Sequence, residues 1–306
     1  MDERGNTVAG DPSGLEATAE REHQFELETM QARIESGLGD PEIRQSAEYD
    51  FTYTFGQLGL SEQDSSNLKD LVIENLLSGG NLAKIEKNVL AIIEQTKVAT
   101  DGGEKTLVEI LHEKLAGRAE LIYEQVQKYF EGIEGKVIDY GAGDGQVTQL
   151  LKDRSGLDIE GYDVRSYPAQ GVSVPISLFD GGKIPVEDGH YQAGLMTNVA
   201  HHEKDNEKIL EETTRAIGSR LVVIETVPTG ETEEEIARDR ERTFLNDYLY
   251  NRLFHNANIP VPGTYETPQG WIDRFSQHGW NVTHSEDLGF DQPTIRDVHH
   301  LLVFDR

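Results

Sequence analysis

The 306-residue sequence contains no cysteine. This excludes disulfides, thiolate metal sites and a cysteine nucleophile, and it leaves the redox compartment open. Positive charge is scarce as well: 28 Lys and Arg stand against 56 Asp and Glu, a formal net charge of −28. A surface this negative repels a phosphate backbone unless a basic stripe offsets it, and no such stripe is present, so nucleic acid is not expected as a partner. Long apolar runs are also missing. No stretch approaches membrane-spanning length, and residues 1–14 are polar and acidic with neither a basic start nor an apolar core. A cytoplasmic protein without a secretory signal or a membrane partner is therefore expected.

What is present divides into three parts. Residues 1–18 mix Gly, Pro and charge without apolar periodicity, which predicts a disordered or loosely attached tail. Residues 19–133 carry apolar side chains at three-to-four spacing, as in Leu68, Leu71, Val72, Leu76 and again in Leu82, Ile85, Val89, Ile92, Ile93, which predicts a helical region or cap. Ser61 with Asp64 fits a helix start, Gly79-Gly80 a stop, and Asp101-Gly102-Gly103 a break before a further helix. Within this region Tyr49, Phe51, Tyr53 and Phe55 recur at every second residue, a pattern of a short strand or pocket wall, or of aromatics packed against the helices; packing is favoured.

From residue 134 to 306 short apolar runs alternate with helical stretches: Val137-Ile138, Ile159–Gly161, Ala193–Met196, Leu221–Ile224, then Trp280–Val282 and Leu301–Phe304. Such alternation predicts an α/β domain with a mostly parallel sheet and helices on both faces, the last two runs forming an antiparallel pair at its edge. An insertion at about 229–263 interrupts it. Its helical part places Leu245, Leu249 and Leu253 on one face and Phe244, Asp247, Tyr248, Asn251 and His255 on another, so it is either a helix packed between two layers or a lid over a ligand.

The strongest local signal is Lys136-Val137-Ile138-Asp139-Tyr140-Gly141-Ala142-Gly143-Asp144-Gly145-Gln146, a buried strand turning through three glycines into a helix. Glycine there lets the backbone approach a ligand closely. Gln146 stands where a dinucleotide fingerprint has its third Gly or Ala, so a nucleoside without a pyrophosphate fits better than NAD or FAD. Asp163 ends the next strand, where a carboxylate would accept from both ribose hydroxyls, and Asp180 follows Phe179 at the strand end after that, placed for the exocyclic amine of a base.

With these residues the sequence resembles the class I methyltransferases that use S-adenosyl-L-methionine and release S-adenosyl-L-homocysteine, over about Arg118 to Val227. Val137–Gly145 is similar to the first motif, Tyr162-Asp163 to the ribose acid and Phe179-Asp180 to the adenine-side acid. Ile184–Tyr191 resembles the family's proline-containing loop, Asn198–His202 its segment after the fourth strand, and Glu212 with Arg215 its paired acid and arginine. Gln192, where the family has Asp, and Ile217–Arg220, where it has a Pro-Gly turn, depart from the pattern. The resemblance implies a Rossmann-like seven-stranded sheet and cofactor contacts from Asp139, Tyr140, Gly141, Ala142, Gly143, Asp163, Val164, Phe179, Asp180, Gly181 and Asn198. It also implies a cofactor carboxylate near the helix that follows the glycines.

Ligands of open α/β sheets bind at the carboxyl ends of the strands, which puts Asn198–His202 beside the reacting methyl group. A hydroxyl acceptor needs a base, so His202 and then His201 are the catalytic candidates, against the commoner role of a structural histidine. Tyr248, Asn251 and His255 of the insertion are the substrate candidates. No metal is expected, because His201, His202 and Glu203 are adjacent and no spaced partner is evident. The acceptor expected is a small molecule, with O-methylation ahead of N- or C-methylation or a protein partner; a non-catalytic cofactor-binding scaffold is the reading from a different class. Oligomeric state is left open, a homodimer included.

Overall fold

The computed structural model describes residues 12–166, 169, 171–255, 259–292 and 294–306, with the side chains of 12–23 and 255 outside that description. The chain opens with helices α1 (Pro12–Gly39), α2 (Pro41–Gln57), α3 (Glu62–Leu76) and α4 (Leu82–Gln95), a hairpin of β1 (Lys97–Thr100) and β2 (Gly103–Thr106), and α5 (Leu107–Val126). Of the tail expected over 1–18, residues 1–11 lie outside the described residues and 12–18 are helical. Pro12 suits a first helical turn because its missing N–H is a donor the helix leaves unsatisfied there anyway.

Capping side chains start the next helices. Asp40 accepts from the amides of Glu42 and Ile43, Ser61 from Asp64, and Asn81 from Lys84, while Thr106 and Glu109 cap each other reciprocally. The aromatic alternation of Tyr49 to Phe55 lies within α2 and is not a strand. Phe51 and Phe55, four apart, are buried on one face together with Ala47, whereas Tyr49 is exposed. The Asp101-Gly102-Gly103 break is the turn of a hairpin whose two short strands carried no apolar alternation to reveal them.

The sheet is built from β3 (Val137–Tyr140), β4 (Ile159–Asp163), β5 (Ile176–Leu178), β6 (Tyr191–Thr197), β7 (Ile217–Thr226), β8 (Asn281–Gly289) and β9 (His299–Asp305). Its seven strands lie in the order β5-β4-β3-β6-β7-β9-β8; the first five are parallel and β9 runs antiparallel to both its neighbours. The expected antiparallel edge pair is present, with β9 inside β8. Both faces are covered. Ile138, Leu221, Val223, Leu302 and Phe304 face a cluster with Leu210 of α7 (Asn206–Ala216) and with Trp271 and Phe275 of α9 (Pro268–Gln277). Val137, Val222, Ile224, Leu301 and Val303 face α5 and Leu151 of α6 (Gln146–Ser155). Burial on both faces is why these strands read as unbroken apolar runs. The architecture is α/β and Rossmann-like, behind an N-terminal helical region.

The insertion forms α8 (Glu233–Asp247) and a π-helix, Tyr248–His255. It is not a free lid. Phe244, Leu245, Tyr248, Leu249, Leu253 and Phe254 are buried in one cluster with Ile34, Phe51, Phe55, Leu76 and Val89 of the helical region. Charges fasten it further: Arg33 pairs with Glu241 at 2.8 Å, Arg242 with Asp50 at 2.7 Å, and Arg252 with Glu86 at 2.6 Å, the last pair being buried. Breaking a buried pair leaves a charge stranded, a cost of about 3–5 kcal/mol. Glu86→Ala is therefore expected to lower thermal stability strongly, checked by the shift of the melting midpoint against an exposed control such as Glu113→Ala.

Candidate active site

The order of the parallel strands reverses between β3 and β6, whose following loops diverge and leave a crevice at the strands' carboxyl ends. The two loops touch at its floor. Gly141 has φ +80°, and a Cβ there would lie 2.3 Å from Val199 Cγ2. Only glycine fits the turn and the approach together. Gly145, at φ +80°, precedes α6, whose first amide, that of Gln146, donates to Asp144 Oδ1 at 3.0 Å, so an acid already sits at the positive dipole end of the helix.

Asp163 Oδ2 accepts from the Gly143 amide at 2.8 Å and Oδ1 from the Arg165 amide at 2.9 Å. Burial pushes its pKa up, and these amides oppose the shift. Two oxygens offer about four acceptor positions, so the amides leave room for two hydroxyls. Asp180 is exposed and ties its own turn through the Gly182 amide at 2.9 Å. Phe179 stands edge-on to Tyr140 at 5.4 Å and to Tyr162 at 6.2 Å, an aromatic wall suited to a flat ring. Gly181 has φ +83°, Val164 is exposed beside it, and Ala142 packs at the first turn, where a Cβ on Gly161 would be 2.7 Å from its methyl. Asn198 sits at φ +53°, a left-handed conformation uncommon for a residue with a side chain; its amide donates to Ile224 O and its side chain accepts from Thr226 Oγ1.

Asp139 is buried behind this cradle. Thr148 Oγ1 donates to its Oδ2 at 2.6 Å, whereas Oδ1 has no partner, and burial raises its pKa to about 7. A carboxyl raised in the folded state is protonated there while the unfolded chain is already ionised. Its stabilisation is complete below about pH 4 and is lost as pH rises through 7. Asp139→Asn, neutral throughout, is expected to be more stable than the parent at pH 8 by roughly 2–4 kcal/mol, with the gap shrinking toward pH 5. Melting curves of the cofactor-free protein at the two pH values check this; a gap independent of pH would contradict it.

Glu212 and Arg215 act on the neighbouring loop. Glu212 accepts from the Ile184 amide, and Arg215 donates to Ile184 O, Val186 O and Asp188, so the pair fixes residues 184–188. Gln192, one departure from the family pattern, accepts from the amides of Glu134 and Gly135 and anchors the entry to β3.

The loop after β6 holds both histidines. His201 is buried, and its Nδ1 lies 2.6 Å from Glu225 Oε2. Glu225 is a buried acid of β7 that sequence reasoning missed; its other oxygen accepts from the amides of Val199 and Ala200 at 2.9 and 2.8 Å. Burial would lower the pKa of His201, but the Glu225 carboxylate outweighs it and the net direction is upward. His202 is half-buried, 4.2 Å from His201 between ring centroids, and its Nδ1 lies 2.8 Å from Pro260 O. Burial and the neighbouring His201 push its pKa down. A carbonyl can only accept, so Nδ1 of His202 carries the proton and Nε2 presents a lone pair.

Asp247 and Asn251 of the insertion, with Tyr265 just after it, lie beside His201. Asp247 Oδ2 lies 3.9 Å from His201 Nε2 and accepts from Tyr265 at 2.6 Å, while its Oδ1 accepts from Asn251. Of the substrate candidates, Asn251 is thus a positioning partner of Asp247. Tyr248, another substrate candidate, is fully buried in the helical core, and its hydroxyl donates to Glu86 at 3.1 Å. The expectation for the His255 side chain lies outside the described residues.

Residues 111–285, more than half of the 306-residue chain, match the family described as Methyltransferase domain. The chain belongs to this family, and its class is the S-adenosylmethionine-dependent methyltransferases that its motifs resemble. None of the curated proteins matches it. Among solved structures it is similar to a chain of the complex between the Haloferax volcanii Trm112 methyltransferase activator and the putative methyltransferase, at 13% identity over 63% of this chain and 95% of that one, TM-score 0.43. It is similar to the YcgJ protein of Bacillus subtilis at 14% identity over 60% and 97%, TM-score 0.46. It is also similar to geranyl diphosphate C-methyltransferase of Streptomyces coelicolor A3(2), solved with Mg2+, geranyl diphosphate and S-adenosyl-L-homocysteine, at 12% identity over 61% and 77%, TM-score 0.45. No helix among the described residues is long and apolar enough to cross a membrane.

Proposed function

We propose that this enzyme transfers the methyl group of S-adenosylmethionine to an oxygen of a small-molecule acceptor held between the post-β6 loop and the insertion. The observation that carries this reading is the fixed tautomer of His202, which leaves an unprotonated Nε2 at the carboxyl end of β6. Bound S-adenosylmethionine supplies an electrophilic methyl on a sulfonium, a good leaving group. The chain contributes position and a proton acceptor: Asp163 and the glycine turn orient the donor, and His202 Nε2 takes the hydroxyl proton as the new O–C bond forms.

A small acceptor is favoured because the region is roofed. Thr264 Oγ1 donates to His201 O at 3.0 Å and to Glu203 O at 2.7 Å, Tyr265 stacks 5.1 Å from His201, and α8 lies against the helical region. A net charge of −28 speaks against nucleic acid as the acceptor.

The test is turnover with a panel of hydroxyl, amine and carbon acceptors, the product's methylated atom being read by mass spectrometry and NMR. Methylation of amines alone would overturn the oxygen assignment. Binding of S-adenosylmethionine without turnover on any acceptor would favour a cofactor-binding scaffold. Asp163→Ala is expected to weaken cofactor binding by about 1.5–3 kcal/mol, the value of paired charge-assisted hydrogen bonds. Calorimetry with S-adenosyl-L-homocysteine checks it, and unchanged affinity would place the ribose elsewhere.

A further inference from the structure

Resting on the proposed reading that the post-β6 loop faces the acceptor, we infer that His201, His202 and Asp247 form a binding site for a divalent transition-metal ion, which holds the acceptor's oxygen. Sequence spacing argues against a metal because His201 and His202 are adjacent and lack a spaced partner. Folding supplies one. Among the described residues these three each offer a ligand atom, all within 4.8 Å of one another, and Asp247 comes from α8, 45 positions beyond His202.

The surroundings match those of a metal site. A metal-ligating histidine donates its other ring N–H to a carboxylate or a backbone carbonyl, which sets the tautomer and aims the free lone pair. Both histidines have such a partner: Glu225 Oε2 for Nδ1 of His201 and Pro260 O for Nδ1 of His202. The nitrogen left to each ring is Nε2. The carboxylate is oriented in the same way, by Tyr265 on one oxygen and Asn251 on the other.

Two nitrogens and one carboxylate form a ligand set with open positions. It suits zinc or another late first-row ion rather than magnesium or calcium, which take oxygen ligands. At bond lengths of about 2.1 Å, ligands around a tetrahedral ion stand about 3.3 Å apart. The three side chains, whose ligand atoms lie within 4.8 Å of one another, have to draw together by about an ångström.

An ion held by His202 Nε2 would take over the task the proposed function gives that lone pair: it would acidify a coordinated acceptor hydroxyl, whose proton would pass to solvent instead of to the ring. Methyl transfer then forms the O–C bond as the S–C bond of the sulfonium breaks, leaving the neutral thioether.

The test is equilibrium dialysis and visible spectroscopy of the intact chain with Co2+, and competition by Zn2+, before any acceptor is known. Expected are one tight ion per chain and an intense absorption typical of four- or five-coordinate Co2+. His201→Gln, His202→Gln and Asp247→Asn are each expected to weaken binding by at least about 100-fold, and Glu225→Gln by about 10–100-fold. Binding of S-adenosyl-L-homocysteine by the same preparations monitors folding and the methyltransferase reading separately. Cobalt bound only with the weak spectrum of the hydrated ion, or equally by parent and variants, would assign it to surface acids and overturn the metal site while leaving the cofactor reading intact. Metal binding without cofactor binding would uphold the site and overturn the reading on which its role rests.

Discussion

Replacing His202 with alanine is expected to lower turnover by about 10²–10⁴-fold while cofactor affinity stays nearly constant. The ring is fixed at one nitrogen by Pro260 O, so its other nitrogen is available for chemistry. Cofactor affinity should not follow, because the residues proposed to hold the donor, the glycine turn and Asp163, belong to β3 and β4 and their loops rather than to the loop after β6. Initial rates, cofactor binding and melting temperature have to be measured on one preparation. Retention of most of the turnover would make His202 a bystander and shift attention to Asp247. Joint loss of affinity and stability would show a structural histidine, whose rate loss says nothing about base catalysis.

Glu225→Ala is the second large effect, expected first in stability. The side chain is fully buried and accepts from two backbone amides and one imidazole. Truncation strands those donors at a cost of about 3–5 kcal/mol, which for a domain of this size corresponds to a melting shift of roughly 6–20 °C. Glu225→Gln separates the two duties. Its carbonyl oxygen still serves the amides of Val199 and Ala200, so most stability should return. The anionic partner of His201 is gone, so turnover should remain low. Full activity in the Gln variant would show that the charge on Glu225 has no part in the reaction.

Different parts of this protein were legible from sequence to different degrees. The helix start at Ser61 depends on a hydrogen bond from the Asp64 amide three residues on, and such a local signal survives in a linear pattern. Tyr49 to Phe55 left a strand open beside the favoured helical packing because a period of two and a spacing of four share residues. Burial decided in favour of the helix, with Phe51 and Phe55 inside and Tyr49 outside. The hairpin of β1 and β2 was invisible because its side chains are mostly exposed and leave no apolar trace.

The sequence by itself determined the placement of the glycine turn and of the strand-end acids. The glycine turn, Asp139, Asp163 and Asp180 sit at fixed offsets from strands whose apolar runs announce them, so local chain geometry places each acid at a strand's carboxyl end. Tertiary structure alone decided the surroundings of the two histidines. Glu225 reads as one more acid in a charged chain until β7 pairs beside β6 and directs it at His201. Asp247 and Tyr265 reach the same place only because α8 is buried against α1, α2 and α4, where Arg33, Asp50 and Glu86 hold the insertion through contacts spanning more than 160 residues. Whether a histidine is a ligand, a base or a strut depends on what faces its two ring nitrogens, and for His201 and His202 those partners lie at least 24 residues away along the chain, beyond the reach of any spacing rule.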